Sequence, residues 1–155
     1  MLLSSILLIG VLACGSSKSN AGQVGANDNQ IDEIIYRDWG PPVAPQFNET
    51  YKIILNRKQG TLALDSVRTA GIEHQWPLST EDFDRILNMK KTLTIDEAMA
   101  FDGCMGGSGQ TLTFFSAGTK VEEGMIVNCG GEQRSNIQGE VTTFTQAIRA
   151  LVFSK

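Results

Sequence analysis

The sequence predicts an α+β domain, an antiparallel sheet of about four to five strands with two helices on one face, in the order hairpin, helix, hairpin, helix. Three observations predict it. Apolar and polar residues alternate on either side of a turn at 51–65, and again at 112–127. Apolar residues recur at helical spacing at 83–87 and at 141–152. The 155 residues, 41% of them hydrophobic, are enough for one domain with one core, and 31–155 is the stretch that reads as that domain.

Ile31 to Tyr36 is short, a length at which periodicity fits a helix or a strand equally. Pro41, Pro42 and Pro45 then impose an extended passage from Trp39 to Pro45, because each ring fixes its own φ and restricts the residue before it. Tyr51, Ile53 and Leu55 alternate with Lys52 and Asn56, and Leu62 and Leu64 with Ala63 and Asp65. Lys58-Gln59-Gly60 makes these two strands a hairpin, with His74 a polar residue near the end of the second. Ser79-Thr80-Glu81-Asp82 has the spacing of a capping box, and Phe83, Ile86 and Leu87 share the face of the helix it opens. Lys90 and Lys91 suit its negative C-terminal end. Thr92–Ile95 is a candidate short strand, and Asp96–Phe101 a helical turn. Leu112, Phe114 and Ser116 lie opposite Thr113 and Phe115, and with a turn near Gly118 and the run Met125–Val127 they form a second hairpin, which sets Cys129 near the level of Thr111. Val141, Phe144, Ile148, Leu151 and Val152 mark the closing helix.

Seventeen acidic against 13 basic side chains give a net charge of -4 with no basic block, which argues against a nucleic-acid partner. The charge is unevenly placed. Residues 1–17 carry none, and every charged side chain lies from Lys18 onward. Leu2 to Leu12 is an apolar stretch of signal-peptide length, short of the roughly 20 residues a membrane-spanning helix needs. It runs into Val11-Leu12-Ala13-Cys14-Gly15.

That order of apolar run, small residue and cysteine resembles the lipobox of bacterial lipoproteins. The resemblance covers the first fifteen residues and implies that 1–13 is a signal peptide cut off before Cys14. It implies a diacylglyceryl group on the Cys14 sulfur, acylation of the freed amine (palmitate is a usual chain), and anchorage of the domain to a membrane. Several buried acyl chains, at about 0.8 kcal/mol per CH₂, hold where one would not. Gly15, where inner-membrane lipoproteins often carry Asp, implies the outer membrane, with the domain facing the periplasm. The Lys or Arg that the family places before the apolar run is absent, so either translation starts upstream or the Met1 amino group serves instead. From Cys14 to Gln30 the chain is largely Ser, Asn, Gly, Ala and Gln, the composition of a flexible tether. Its root-mean-square reach is about 20–25 Å.

With Cys14 lipidated, Cys104 and Cys129 remain. An even pair in an exported domain favours a disulfide over two buried thiols, and there is no CxxC spacing for a metal. In the chain-entropy model, closing that loop of about 25 residues stabilises the fold by roughly 3–4 kcal/mol.

No catalytic constellation is evident. Ser108, in Gly106-Gly107-Ser108-Gly109-Gln110, only approximates a nucleophile elbow, and the glycines are better explained by backbone conformation around the disulfide. His74 is the single histidine. Glu122 and Glu123 read as solvated residues beside a hairpin turn. No cofactor or metal site is expected. The expected role is binding, of an envelope protein (including an inhibitor or immunity-type partner) or a small ligand, through Trp39, Pro42, Pro45 and Trp76 and secondarily through 103–109, since Trp is enriched at binding hot spots. The alternatives are an envelope hydrolase using Ser108 or His74 and a structural assembly factor.

Overall fold

In β1 (Glu33–Trp39), Ile34 and Tyr36 are fully buried while Ile35 is half-buried and Arg37 is exposed, so one face of the strand meets the core. The computed structural model describes residues 28–41, 50–66, 71–99 and 106–154. β2 (Tyr51–Asn56), β3 (Thr61–Ser66) and β4 (Gly71–Pro77) follow as an antiparallel meander, then α1 (Thr80–Lys90) and β5 (Leu93–Ile95). β6 (Ser108–Ser116), β7 (Thr119–Cys129) and β8 (Glu132–Ser135) form a second meander, followed by β9 (Ile137–Gly139) and α2 (Val141–Phe153). The main sheet has seven strands in the order β4-β3-β2-β1-β6-β7-β8, and β5 pairs with β9 as a separate ribbon.

This corrects the expected sheet of four to five strands in hairpin, helix, hairpin, helix order. The first strand in sequence lies at the centre, pairing with β2 on one side and β6 on the other. The stretch Ile31–Tyr36 is too short for periodicity to separate strand from helix; the two flanking hairpins supply the partners that decide it. β4 and β8 are the two edges. β8 reads Glu-Gln-Arg-Ser, with its first three residues exposed, and carries no apolar alternation to announce it. His74 lies within β4 opposite Leu64, not at the end of β3.

The inner face of the sheet and both helices share one core. Ile34, Ile53, Leu112 and Phe114 pack with Phe83 and Ile86 of α1 and Phe144 and Ile148 of α2, all 1% exposed or less. Ser79 caps α1 by accepting from the Asp82 amide at 3.0 Å, and its hydroxyl donates to the Asp82 carboxylate at 2.8 Å. The ribbon β5–β9 lies over β7, where Ile137 and Ile95 occupy the space that a side chain on Gly124 would need. Asn136, 7% exposed, clamps it there. Its side-chain oxygen accepts from the Met125 amide at 2.6 Å, and its Nδ2 donates to the carbonyls of Asp96 and Glu123. Asp96–Met99 is a single turn closed by the Met99 amide on the Asp96 carbonyl; the remainder of the helical turn expected there lies outside the described residues.

Two charges are used differently from expectation. Lys90, 9% exposed, ends α1 between Asp28 at 2.9 Å and Glu122 at 2.7 Å, with its ammonium over the Phe114 ring. Glu122 is thus one of two partly buried carboxylates on a buried ammonium and not merely solvated. Asp28, in the single 3-10 turn Asp28–Gln30, already belongs to the packed domain, three residues before its expected boundary. The β6–β7 turn is tight, with Ser116 opposite Thr119, and a bulge between Phe114 and Phe115 shifts the register. Thr111 therefore faces Met125, and Cys129 lies beyond the Ser108–Asn128 pair, several residues from the level expected.

Candidate functional site

At one end of the inner face the apolar rows stop. The row after Tyr36 consists of Asp38 on β1, Tyr51 opposite it on β2, and Gln110 opposite it on β6. Strand alternation puts these on the same face as Ile34, Ile53 and Leu112, but here polar groups replace the core. Asp38 Oδ2 accepts from the Tyr36 hydroxyl at 2.8 Å, from the Tyr51 hydroxyl at 3.4 Å and from Gln110 Nε2 at 3.4 Å. Burial first, and then the Asp38 charge, hold the Tyr36 phenol far above the usual tyrosine range, so it stays a donor. Burial and Asp38 also raise Tyr51, while the positive charge of Arg149 on α2 pulls it back.

Over this row hangs the last part of α2. Phe153 meets the Tyr51 ring edge-on at 5.7 Å and is 59% exposed. Arg149, one turn earlier, joins Asp38, Trp39, Tyr51, Ser108, Gln110 and Asn128 around a hollow of about 270 Å³. Asp38 and Arg149 line the same hollow without forming an ion pair, and among the described residues Arg149 has no acidic partner within 4.0 Å. Trp39 is placed by Gly109, its partner across the β1–β6 ladder. A side chain on Gly109 would run into the Trp39 indole and the Ile126 carbonyl, so the glycine lets the ring lie against the strand. The glycine-rich segment was expected to serve backbone conformation near a disulfide. At Gly109 it serves the approach of an indole instead.

The expected surface separates in space. Trp39 lines the hollow, but Trp76 is on edge strand β4, level through Leu62 and Leu55 with Ile34. Three strand spacings of about 4.8 Å and five residues of about 3.3 Å put the tryptophans roughly 20 Å apart. Trp76 instead neighbours His74, their rings 5.5 Å apart. Pro42 and Pro45, like Cys14 and Cys104, lie outside the described residues. Ser108 lines the hollow, yet His74 is four strands away, level with Leu112. That is again roughly 20 Å, whereas a nucleophile and its base must approach to about 3 Å. Cys129 follows Asn128 of the hollow and is disulfide-bonded; both other cysteines lie outside the described residues.

Asp38, Tyr51, Gln110 and Arg149 were not singled out by sequence. Their signal was a polar residue continuing an apolar alternation, as in Ile34-Tyr36-Asp38 and Phe114-Leu112-Gln110 read backwards, and it becomes visible only once the register aligns the strands. Among the described residues, no group of three or more His, Cys, Asp or Glu side chains is gathered to hold a metal ion, and no helix is long and apolar enough to cross a membrane. No family model, curated protein or solved structure matches the chain.

Proposed function

We propose that this chain is a bacterial envelope lipoprotein, anchored through lipid on Cys14, whose domain is a binding module working through the hollow between Asp38 and Arg149. The observation that carries the binding role is the composition of that hollow. Trp39, Tyr51 and Arg149 are residue types that dominate binding hot spots, and exposed Phe153 stands at its edge. The polar groups around them are fixed by the strands and by Tyr36, which is what orientation of a ligand requires. Trp39 keeps its place in this reading and Trp76 leaves it. Anchorage rests on the lipobox and on the run without charge before it. Pairing of Cys129 with Cys104 belongs to the same proposal, as the even pair left in an exported chain.

The test is capture from solubilised envelope by the full-length lipidated protein, beside its Trp39→Ala and Arg149→Gln variants. A partner or ligand recovered in stoichiometric amount by the wild type and lost from both variants supports the role. Turnover of peptidoglycan or ester substrates, abolished by Ser108→Ala, would overturn it.

A further inference from the structure

We propose that the ligand of the hollow is a small zwitterion of the amino-acid type, its ammonium group on Asp38 and its carboxylate on Arg149. This rests on the binding role proposed above and names the class of ligand. The juxtaposition of the two charges carries it. Opposite charges sharing a hollow of about 270 Å³ would ordinarily close on one another, but no Asp38–Arg149 ion pair is present. Each is held by its own element instead. Asp38 is fixed on β1 by the three donors to Oδ2, and no donor among the described residues reaches its Oδ1. Arg149 projects from α2 with its guanidinium fork unengaged by any acid among the described residues.

A ligand with one charge would satisfy one wall and leave the other opposed to nothing. A molecule carrying both satisfies both, and bidentate guanidinium–carboxylate geometry suits the Arg149 end. Size points the same way. The hollow falls just below the roughly 300–1,000 Å³ of sites for drug-sized ligands, which fits one amino acid. Tyr51 offers apolar wall for a side chain, while Ser108, Gln110 and Asn128 offer hydroxyl and amide groups to its polar atoms.

The two indole N–H resonances of the ¹⁵N-labelled full-length protein in detergent micelles report on the site, since Trp39 lines it and Trp76 is roughly 20 Å away. L-alanine, L-leucine and L-glutamine are titrated singly, alongside isocaproate and isoamylamine, which keep the carbon skeleton of leucine but lack its amine or its carboxylate. The expected result is a saturable shift of the Trp39 resonance with at least one amino acid, no matching shift of Trp76, and at least a tenfold weaker response to both single-charge analogues. Arg149→Gln, on the exposed side of α2, should weaken the response at least tenfold while the rest of the spectrum is preserved. Asp38→Asn, whose amide oxygen still accepts from Tyr36, should do the same. No Trp39 response to any of the three amino acids overturns the inference, as does an equal response to a single-charge analogue. If N-acetylglucosamine or a partner captured from the envelope shifts Trp39 where amino acids do not, the zwitterion is refuted and the binding role stands. If neither these probes nor envelope material moves Trp39, both fail.

Discussion

Replacing Gly109 by alanine perturbs the hollow through a single methyl group, and its cost follows from the geometry. The new Cβ would overlap both the Trp39 indole and the backbone carbonyl of Ile126. The indole can swing away, but the carbonyl belongs to β7, locked to β6 by the Gly109–Val127 pairing on one side and to β8 on the other. Overpacking of this kind costs about 1–3 kcal/mol. Against it, alanine reduces the freedom of the unfolded chain, offsetting about 0.4–1 kcal/mol. The net loss should be about 1–2 kcal/mol, which for a domain of this size lowers Tm by about 4–8 °C. Thermal denaturation followed by circular dichroism measures it, and Trp39 fluorescence in a Trp76→Phe background reports the ring. Part of the penalty should vanish with the indole, so Gly109→Ala in a Trp39→Leu background should cost at least about 0.5 kcal/mol less than in the wild type. An unchanged Tm, or an identical penalty in both backgrounds, would refute the placement of Trp39 on Gly109.

Asn136→Ala should destabilise by about 1–3 kcal/mol, because the Met125 amide loses its side-chain acceptor in a site with little water. Asn136→Asp should cost more, since a carboxylate has no donor for the carbonyls of Asp96 and Glu123; urea denaturation of both variants decides the order. Lys90→Met leaves Asp28 and Glu122 without their shared cation and should cost about 1–3 kcal/mol, between an exposed pair and a fully buried one. Burial works to lower the Lys90 pKa, but the bonds to Asp28 and Glu122 outweigh it and raise it above 10.5. The stabilisation this linkage gives is complete below 10.5 and lost as pH climbs through the folded-state value. Tyr36, also raised, loses stability in the same alkaline direction, so the quantity to measure is the difference between wild type and Lys90→Met, which should shrink as pH rises above about 10.5. Alkylation of the denatured, unreduced protein should leave Cys104 and Cys129 unlabelled; a labelled Cys104 would contradict their pairing.

The parts of the fold legible in sequence were those in which local pattern and tertiary role agree. Ser79 announces α1 because an N-cap needs only its own first turn, and Phe144, Ile148, Leu151 and Val152 announce α2 because one helical face meets one core. Central strand β1 was ambiguous because its pairing partners are 13 to 82 residues away, and edge strand β8 was invisible because an edge stabilised by backbone bonds can be wholly polar. The hollow was half legible. Trp39 and Ser108 stood out by residue type, whereas Asp38, Tyr51 and Gln110 become a site only through register, and Arg149 only through the packing of α2 above them. Trp76 stood out for the same reason as Trp39 yet lies three strands from it, since composition carries no distance.

The most direct test of the account is the intact mass of the protein purified from the membrane fraction of its native host. Lipidation at Cys14 predicts a chain beginning at Cys14 and carrying the added mass of diacylglyceryl and acyl groups, with Cys14→Ser restoring the uncleaved, unmodified chain. A wild-type polypeptide that still begins at Met1, with no added mass and recovered from the soluble cytosolic fraction, would contradict it.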